Sequence, residues 1–319
     1  MTPSLAYEDI VRAAKRLEGR ILRTPTLSST TLNRAVGVEL FLKAECLQAT
    51  GSFKVRGATN AVANLSARDA KAGVVTFSSG NHAQGVARAG RLAGVDVVVV
   101  MPHDAPPNKA AATEADGARI VRYDRYREDR SAIAASIVEH ERRVLIPPYD
   151  HLDVMAGQGT VGLELLDDVA GLDTLITPVG GGGLLAGCAT AVDATDEEII
   201  VIGVEPEASD DHQRSRIEGK RVDVGVPHTI ADGQQVSIPG ALTWPVTNRL
   251  TSEFATVSDD EIIAAMQLLH SATGLMVEPS GASGVAAVLA GRCKFASRVG
   301  VVLSGGNITA ERFKELTGI

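Results

Sequence analysis

The residues best able to do chemistry in this chain fall in four short segments. The first is Thr50-Gly51-Ser52-Phe53-Lys54-Val55-Arg56-Gly57, where a lysine flanked by glycines opens a helix. A lysine amine is a useful nucleophile only when its surroundings hold it neutral. Flanking glycines let a bulky ring approach the backbone. On spacing alone, a solvated lysine in a first helical turn fits equally well. The second is Ser78-Ser79-Gly80-Asn81-His82-Ala83, directly after a short aliphatic run. Backbone N–H groups and hydroxyls at a helix start make an anion cradle suited to a carboxylate. A helix cap needs only one such side chain, so several polar side chains here point to a binding loop.

The third segment is Gly180-Gly181-Gly182-Gly183, between an aliphatic run and an apolar helix. Successive glycines are expensive in chain entropy, and phosphate binding by free N–H groups at a helix start explains them. The segment lacks the Gly-Lys-Ser/Thr ending of a P-loop. It does contain Gly181-x-Gly183-x-x-Ala186, with Glu205 following after about twenty residues, as a dinucleotide fingerprint expects. An NAD-binding module is therefore a competing reading of this segment. The fourth is Leu303-Ser304-Gly305-Gly306-Asn307. A small hydroxyl at the end of a strand lies where α/β folds bind ligands, and a plain turn into a last helix fits as well.

The elements that must position these segments alternate in type. Strands are predicted at Val38–Lys43, Val74–Phe77, Val95–Met101, Arg119–Tyr123, Thr174–Val179, Ile199–Val204 and Val299–Leu303. Helices are predicted at Val55–Leu65, Ala83–Leu92, Asn108–Ala115, Arg130–His140, Gly159–Val169, Leu184–Val192, Asp259–Thr273 and Ser283–Ala290. Buried aliphatic strands alternating with such helices imply an α/β fold with parallel-rich sheets flanked by helices. Ile10, Ala13, Ala14 and Leu17 predict an amphipathic helix at the start. Pro206–Thr243 has poor periodicity and reads as an irregular surface excursion.

Composition narrows the function classes. At 319 residues the chain exceeds one usual core, so two lobes are expected. A net charge of -8 argues against a nucleic-acid partner. Three cysteines, Cys46, Cys188 and Cys293, without a CxxC pair argue against a disulfide framework or structural zinc. No secretory leader pattern is present, and the longest aliphatic runs are too short to span a bilayer. A cytoplasmic protein with no membrane partner is expected.

Together and in order, these segments resemble the pyridoxal-phosphate (PLP) dependent serine/threonine dehydratase and serine racemase family. This family is of fold type II, is tryptophan synthase β-like, and includes threo-3-hydroxyaspartate ammonia-lyases. The likeness extends to Arg23-Thr24-Pro25 and Ala156-Gly157-Gln158-Gly159-Thr160 and covers nearly the whole chain. The dinucleotide reading uses one segment of the four and loses to it. The resemblance implies that Lys54 holds PLP as a Schiff base and that Phe53 packs against the ring. It implies that Asn81 bonds the ring hydroxyl, that Gly180, Gly181, Gly182 and Gly183 hold the phosphate, and that Ser304 faces the pyridine nitrogen. A serine donates to a neutral ring nitrogen, which makes the ring a weaker electron sink than an aspartate would. That suits prompt loss of a β-hydroxyl from serine or threonine, the enamine then hydrolysing to a 2-oxo acid and ammonia.

The resemblance further implies that freed Lys54 is the base for the α-proton, and that Ser78, Ser79, Asn81 and His82 clamp the α-carboxylate. Ser79 aligns with the opposite-face serine of racemases. Glu205, Ser209 through its carbonyl, and Asp211 match the family's divalent-metal positions, with oxygen donors suited to Mg²⁺ or Ca²⁺. Arg130 aligns with an arginine near the active site, where a guanidinium suits a second substrate carboxylate; an exposed helix-start charge is the plain alternative. Departures exist: Ala49 stands where nucleotide-activated racemases carry lysine, and Val236 replaces a serine, which counts against racemisation. The chain ends at Ile319, so feedback through a regulatory C-terminal domain is not expected. The expectation is a homodimeric ammonia-lyase acting on a small amino acid: L-threonine, L-serine or 3-hydroxyaspartate. Its lobes are residues 71–147 and residues 1–70 with 148–319. Serine racemase and a β-replacement synthase are the alternatives that share the fold.

Overall fold

The computed structural model describes residues 4–319. Within them the strands are β1 (Thr26–Leu27), β2 (Glu39–Lys43), β3 (Val74–Phe77), β4 (Val97–Pro102), β5 (Arg119–Tyr123), β6 (Val144–Leu145), β7 (Thr174–Pro178), β8 (Ile200–Pro206), β9 (Glu253–Val257) and β10 (Arg298–Val302). They form two sheets. One has the order β1-β2-β10-β7-β8-β9, the other β5-β4-β3-β6. Every pairing is parallel except β1 with β2. Parallel strands need crossover helices, which bury both faces. The valine run of β4 is buried along its whole length, as that arrangement demands.

Each sheet carries its own core. The larger sheet buries Leu40, Leu42, Ile176, Ile202, Val299 and Val301 against the helices Asp259–Thr273 and Pro279–Leu289. The smaller buries Val74, Val97 and Val99 against Val86 and Ala87 of the helix Asn81–Ala93. Ala58, Ala61 and Val62 of the helix Lys54–Ala63 join that second core. The lysine helix thus joins the smaller sheet's core by packing on the helix Asn81–Ala93, although it precedes residue 71. It also crosses the helix Leu152–Asp168 closely: a Cβ on Gly157 would lie 2.6 Å from the Gly57 Cα. The Ala156–Thr160 segment is accordingly a packing device.

The initial helix spans Tyr7–Leu17 and buries Ile10, Ala13 and Leu17, whereas Ala14 stays partly exposed. Several elements escape the periodicity reading, among them β9 and the helices Thr30–Val36 and Thr243–Leu250. Pro206–Thr243 is not wholly irregular. It holds the helix Asp211–Glu218, whose segment carries one aliphatic residue, Ile217, and that is exposed. This helix forms because Glu205 receives its first amides: the His212 N–H at 2.8 Å and the Gln213 N–H at 2.9 Å. A carboxylate at a helix start satisfies orphan donors and complements the dipole. No helix among the described residues is long and apolar enough to cross a membrane.

Candidate active site

Lys54 reaches its place through two loops stapled together. Ser52 and Gly305 form an antiparallel bridge, and the Phe53 N–H donates to the Ser304 carbonyl at 3.1 Å. Asn307 Nδ2 donates to the Thr50 carbonyl at 2.8 Å, joining positions 257 residues apart. Lys54 and Ser304 therefore share one cleft. Lys54 Nζ donates to the Pro148 carbonyl at 2.8 Å and lies 5.1 Å from the Phe53 ring centre. It has no carboxylate partner among the described residues, and burial lowers its pKa from 10.5 to about 8. Near pH 8 about half of such amines are neutral nucleophiles. Ser304 is buried, and its hydroxyl has only a long 3.5 Å contact to the Ser280 carbonyl.

The cleft between these loops opens to solvent. The C-terminal ends of β3, β7 and β10 converge on it, as expected for parallel sheets. The loop after β7 is Gly180–Gly183, leading into the helix Gly183–Asp193. Gly182 has φ +89°, and a Cβ on Gly181 would lie 2.2 Å from the Tyr149 ring. No larger residue fits between that ring and the loop. The Gly181 carbonyl is held by Thr243 Oγ1 at 2.6 Å. A helix start with bare amides facing an open cleft has the donor set for a phosphate. With an unpaired amine and a flanking phenyl ring, the residues fit a phosphorylated aromatic aldehyde.

The loop after β3 supplies the opposite wall. Ser78 Oγ accepts the Gly80 N–H at 3.1 Å, and Ser79 faces both the cleft and its mouth. The helix Asn81–Ala93 begins there, so its first amides point into the cleft region. The Asn81 side chain lies in the cleft wall but is already engaged. Its Nδ2 donates to Glu278 Oε1 at 2.5 Å, and its Oδ1 accepts from Asn307 Nδ2 at 2.9 Å. The His82 ring contacts the Ile146 carbonyl through Nε2 at 3.0 Å. Burial, then the Lys54 charge, lowers its pKa to about 3, so this imidazole stays neutral.

Arg130 also lines the cleft, at the start of the helix Arg130–Glu141. Its guanidinium sits 5.1 Å from the Phe77 ring centre and has no carboxylate or hydrogen-bond partner among the described residues. Four further lining residues, Lys109, Tyr149, Asp232 and Glu278, are not singled out from the sequence. Lys109 is buried and reaches Asp232 at 2.7 Å and Glu278 at 3.4 Å. Burial opposes the Lys109 charge, but Glu278 and Asp232 override it and raise its pKa. This ion cluster ties the helix after β4 to the loops of the larger sheet.

Of the expected cation ligands, Glu205 and Asp211 converge, and His212 joins them. Donor atoms of these three residues all lie within 4.8 Å of one another. Ser209 is pinned on the intervening turn by its hydroxyl, which donates to the Gln234 carbonyl at 2.8 Å and the Val236 carbonyl at 3.0 Å. Both Asp211 oxygens are buried with no hydrogen-bond partner. Burial pushes Asp211 up to about 7. Burial opposes a charge on His212, yet the Asp211 and Glu205 carboxylates raise its pKa to about 9. Buried carboxylate oxygens without a hydrogen bond fit a divalent cation.

The lysine's environment makes a first prediction. The rate of covalent aldehyde uptake by cofactor-free protein rises with pH through a midpoint near 8, because only the unprotonated amine attacks. Stopped-flow absorbance against pH measures it. A midpoint near the ordinary lysine value shows that burial does not tune the amine.

A family model described as pyridoxal-phosphate dependent enzyme matches residues 17–305. An L-threo-3-hydroxyaspartate ammonia-lyase of a Pseudomonas species is 45% identical over 312 residues, covering 98% of both chains. The catabolic L-threonine dehydratase of Escherichia coli is 41% identical, covering 98% of this chain and 96% of that one. The solved structure of maize serine racemase superposes with a TM-score of 0.94 at 37% identity, covering 98% of this chain and 97% of that chain.

Proposed function

Because the chain belongs to the family of pyridoxal-phosphate dependent enzymes, we propose that it is an ammonia-lyase that dehydrates β-hydroxy amino acids, with a 3-hydroxyaspartate-type dicarboxylate preferred over threonine and serine. The Arg130 guanidinium carries this reading, as a cation in the cleft wall without a counter-ion among the described residues. A guanidinium is built to take a carboxylate in two parallel hydrogen bonds. Threonine and serine offer it only a methyl group or hydrogen, whereas hydroxyaspartate offers a second carboxylate. The relative of 45% identity has a name that states this same activity.

In this reading the cofactor, when bound, draws off the electron pair left at the substrate's α-carbon. Lys54 anchors it and, once displaced by the substrate amine, takes the α-proton on Nζ. The amides of Gly180–Gly183 and the following helix start hold the phosphate. Ser304 offers the ring nitrogen a neutral donor, and Phe53 covers one ring face. The amides opening the helix Asn81–Ala93, with the Ser78 and Ser79 hydroxyls, hold the α-carboxylate. The Asn81 side chain reaches the ring hydroxyl once Glu278 releases it. His82 contributes its backbone, since its ring contacts Ile146. Departure of the β-hydroxyl as water leaves an enamine, whose hydrolysis releases the 2-oxo acid and ammonia.

Dehydration is favoured over racemisation because Ser79 has no basic side chain hydrogen-bonded to it among the described residues. A serine hydroxyl needs such a partner to exchange a proton with carbon. The same reading takes residues 71–147 as the smaller lobe and the enzyme as cytoplasmic and homodimeric, and light scattering checks the dimer. Its decisive test is Arg130→Ala. A lost charge-assisted carboxylate contact costs about 1.5–3 kcal/mol, or roughly 10- to 150-fold. We expect kcat/KM for 3-hydroxyaspartate to fall by that factor, and that for threonine to change by less than about threefold. Equal losses on both substrates refute the second-carboxylate role. Chiral analysis of serine after incubation separates lyase from racemase.

A further inference from the structure

The cluster behind the glycine loop differs from the oxygen-only cation site that the sequence suggests. Glu205, Asp211 and His212 are all fully buried. His212 Nδ1 lies 3.5 Å from Glu205 Oε1 and 3.5 Å from Asp211 Oδ2. Both His212 ring nitrogens, like both Asp211 oxygens, lack a hydrogen-bond partner. The ring is held between Trp244 and Phe254, with centroids 6.0 and 5.4 Å away. Its far side faces the glycine loop: Nε2 lies 2.8 Å from where a Cβ on Gly182 would stand. The ring thus meets two carboxylates only at 3.5 Å, with neither nitrogen hydrogen-bonded; buried polar groups are normally hydrogen-bonded, so this open arrangement of three donors calls for a ligand.

We propose that His212 Nδ1 is the third side-chain donor of this cation site, and that it makes the site select a first-row transition ion (Mn²⁺, Co²⁺ or Zn²⁺) over Mg²⁺ and Ca²⁺. The chemistry follows from the donor set. Mg²⁺ and Ca²⁺ are hard ions that take oxygen ligands. Imidazole suits the later ions, whose affinity for a mixed nitrogen and oxygen site follows the Irving–Williams order. The two 3.5 Å edges that meet at His212 Nδ1 suit donors about 2.1 Å from one ion, at angles of roughly 110°. Glu205 can serve while it caps the helix Asp211–Glu218, because a carboxylate has spare lone pairs after accepting two amides. Metal binding through Nδ1 leaves the Nε2 proton facing the Gly182 turn, which fixes the tautomer.

The test uses cofactor-loaded, chelator-treated full-length protein and measures metal binding itself. Calorimetric titration with Mg²⁺, Ca²⁺, Mn²⁺ and Co²⁺ should show the last two bound at least about tenfold more tightly than the first two. Pulsed EPR of the Mn²⁺ protein should show hyperfine coupling to one imidazole nitrogen. In His212→Asn that coupling should vanish and Mn²⁺ affinity fall about tenfold or more, while Ca²⁺ affinity stays within about threefold. If the variant does not fold, the nitrogen coupling in the unaltered protein decides. Absence of nitrogen coupling, Mg²⁺ binding as tight as Mn²⁺ binding, or no metal binding at all would each overturn the proposal.

Discussion

Replacing Lys54 by alanine should reduce turnover of any β-hydroxy amino acid by on the order of 10⁴-fold or more, because two functions are lost together. The side chain is the cleft's neutral amine, lowered to about 8 by burial alone, and no other lysine can replace it. Lys109, the other lysine lining the cleft, is held charged by Glu278 and Asp232. Lys54→Arg separates charge from nucleophilicity: arginine keeps the positive charge but cannot be deprotonated to act as a base. It should be as inactive as the alanine variant. Borohydride reduction with peptide mapping should find the cofactor on the Lys54 peptide of the unaltered protein and nowhere in either variant. Phosphate binding should survive in both, since Gly180–Gly183 are unchanged. Turnover of Lys54→Ala within about tenfold of the unaltered protein would sink the mechanism.

The parts legible in the sequence share a physical cause. Parallel strands buried on both faces read as aliphatic-rich runs, which is why β3, β4, β7, β8 and β10 stand out. Ligand loops sit at the C-terminal ends of such strands, so Ser78–His82, the tetraglycine and Ser304 stand out with them. What stayed hidden depends on tertiary pairing. Lys109 reads as an ordinary surface lysine until Asp232 and Glu278, 123 and 169 residues away, come beside it. The helix Asp211–Glu218 has no apolar stripe and is nucleated by the Glu205 side chain instead. His212 follows two aspartates in sequence, but its closeness to Glu205 depends on the turn between them. The Asn81 side chain lies in the cleft wall, but its partners Glu278 and Asn307 come from distant loops.

The second large effect lies beneath the site rather than in it. Arg56 follows Lys54 by two residues, and its side chain is fully buried. Its guanidinium makes a two-pronged contact with Glu45, at 2.8 and 2.7 Å, and another with Glu164, at 2.7 and 2.9 Å. Thr160 Oγ1 accepts at 3.1 Å. Lys43, also buried, reaches Glu164 at 2.9 Å and Asp168 at 3.1 Å. The network therefore clamps the lysine helix to the strand β2 and to the helix Leu152–Asp168. Removing one member leaves buried carboxylates uncompensated, which costs about 3–5 kcal/mol. Arg56→Met should destabilise the protein by that amount in urea unfolding monitored by circular dichroism. The double variant Arg56→Met with Glu45→Gln should recover part of the loss, because it also removes the stranded charge. Burial raises the Glu164 pKa, but Arg56 and Lys43 hold it below the ordinary carboxylate range overall. Its contribution is therefore complete above that range and is lost as pH falls through the lowered folded value. The gap between Arg56→Met and the unaltered protein should accordingly narrow in acid. A cost under about 1 kcal/mol at neutral pH, or a gap that does not change with acidification, would show that packing rather than this charge network holds the lysine helix in place.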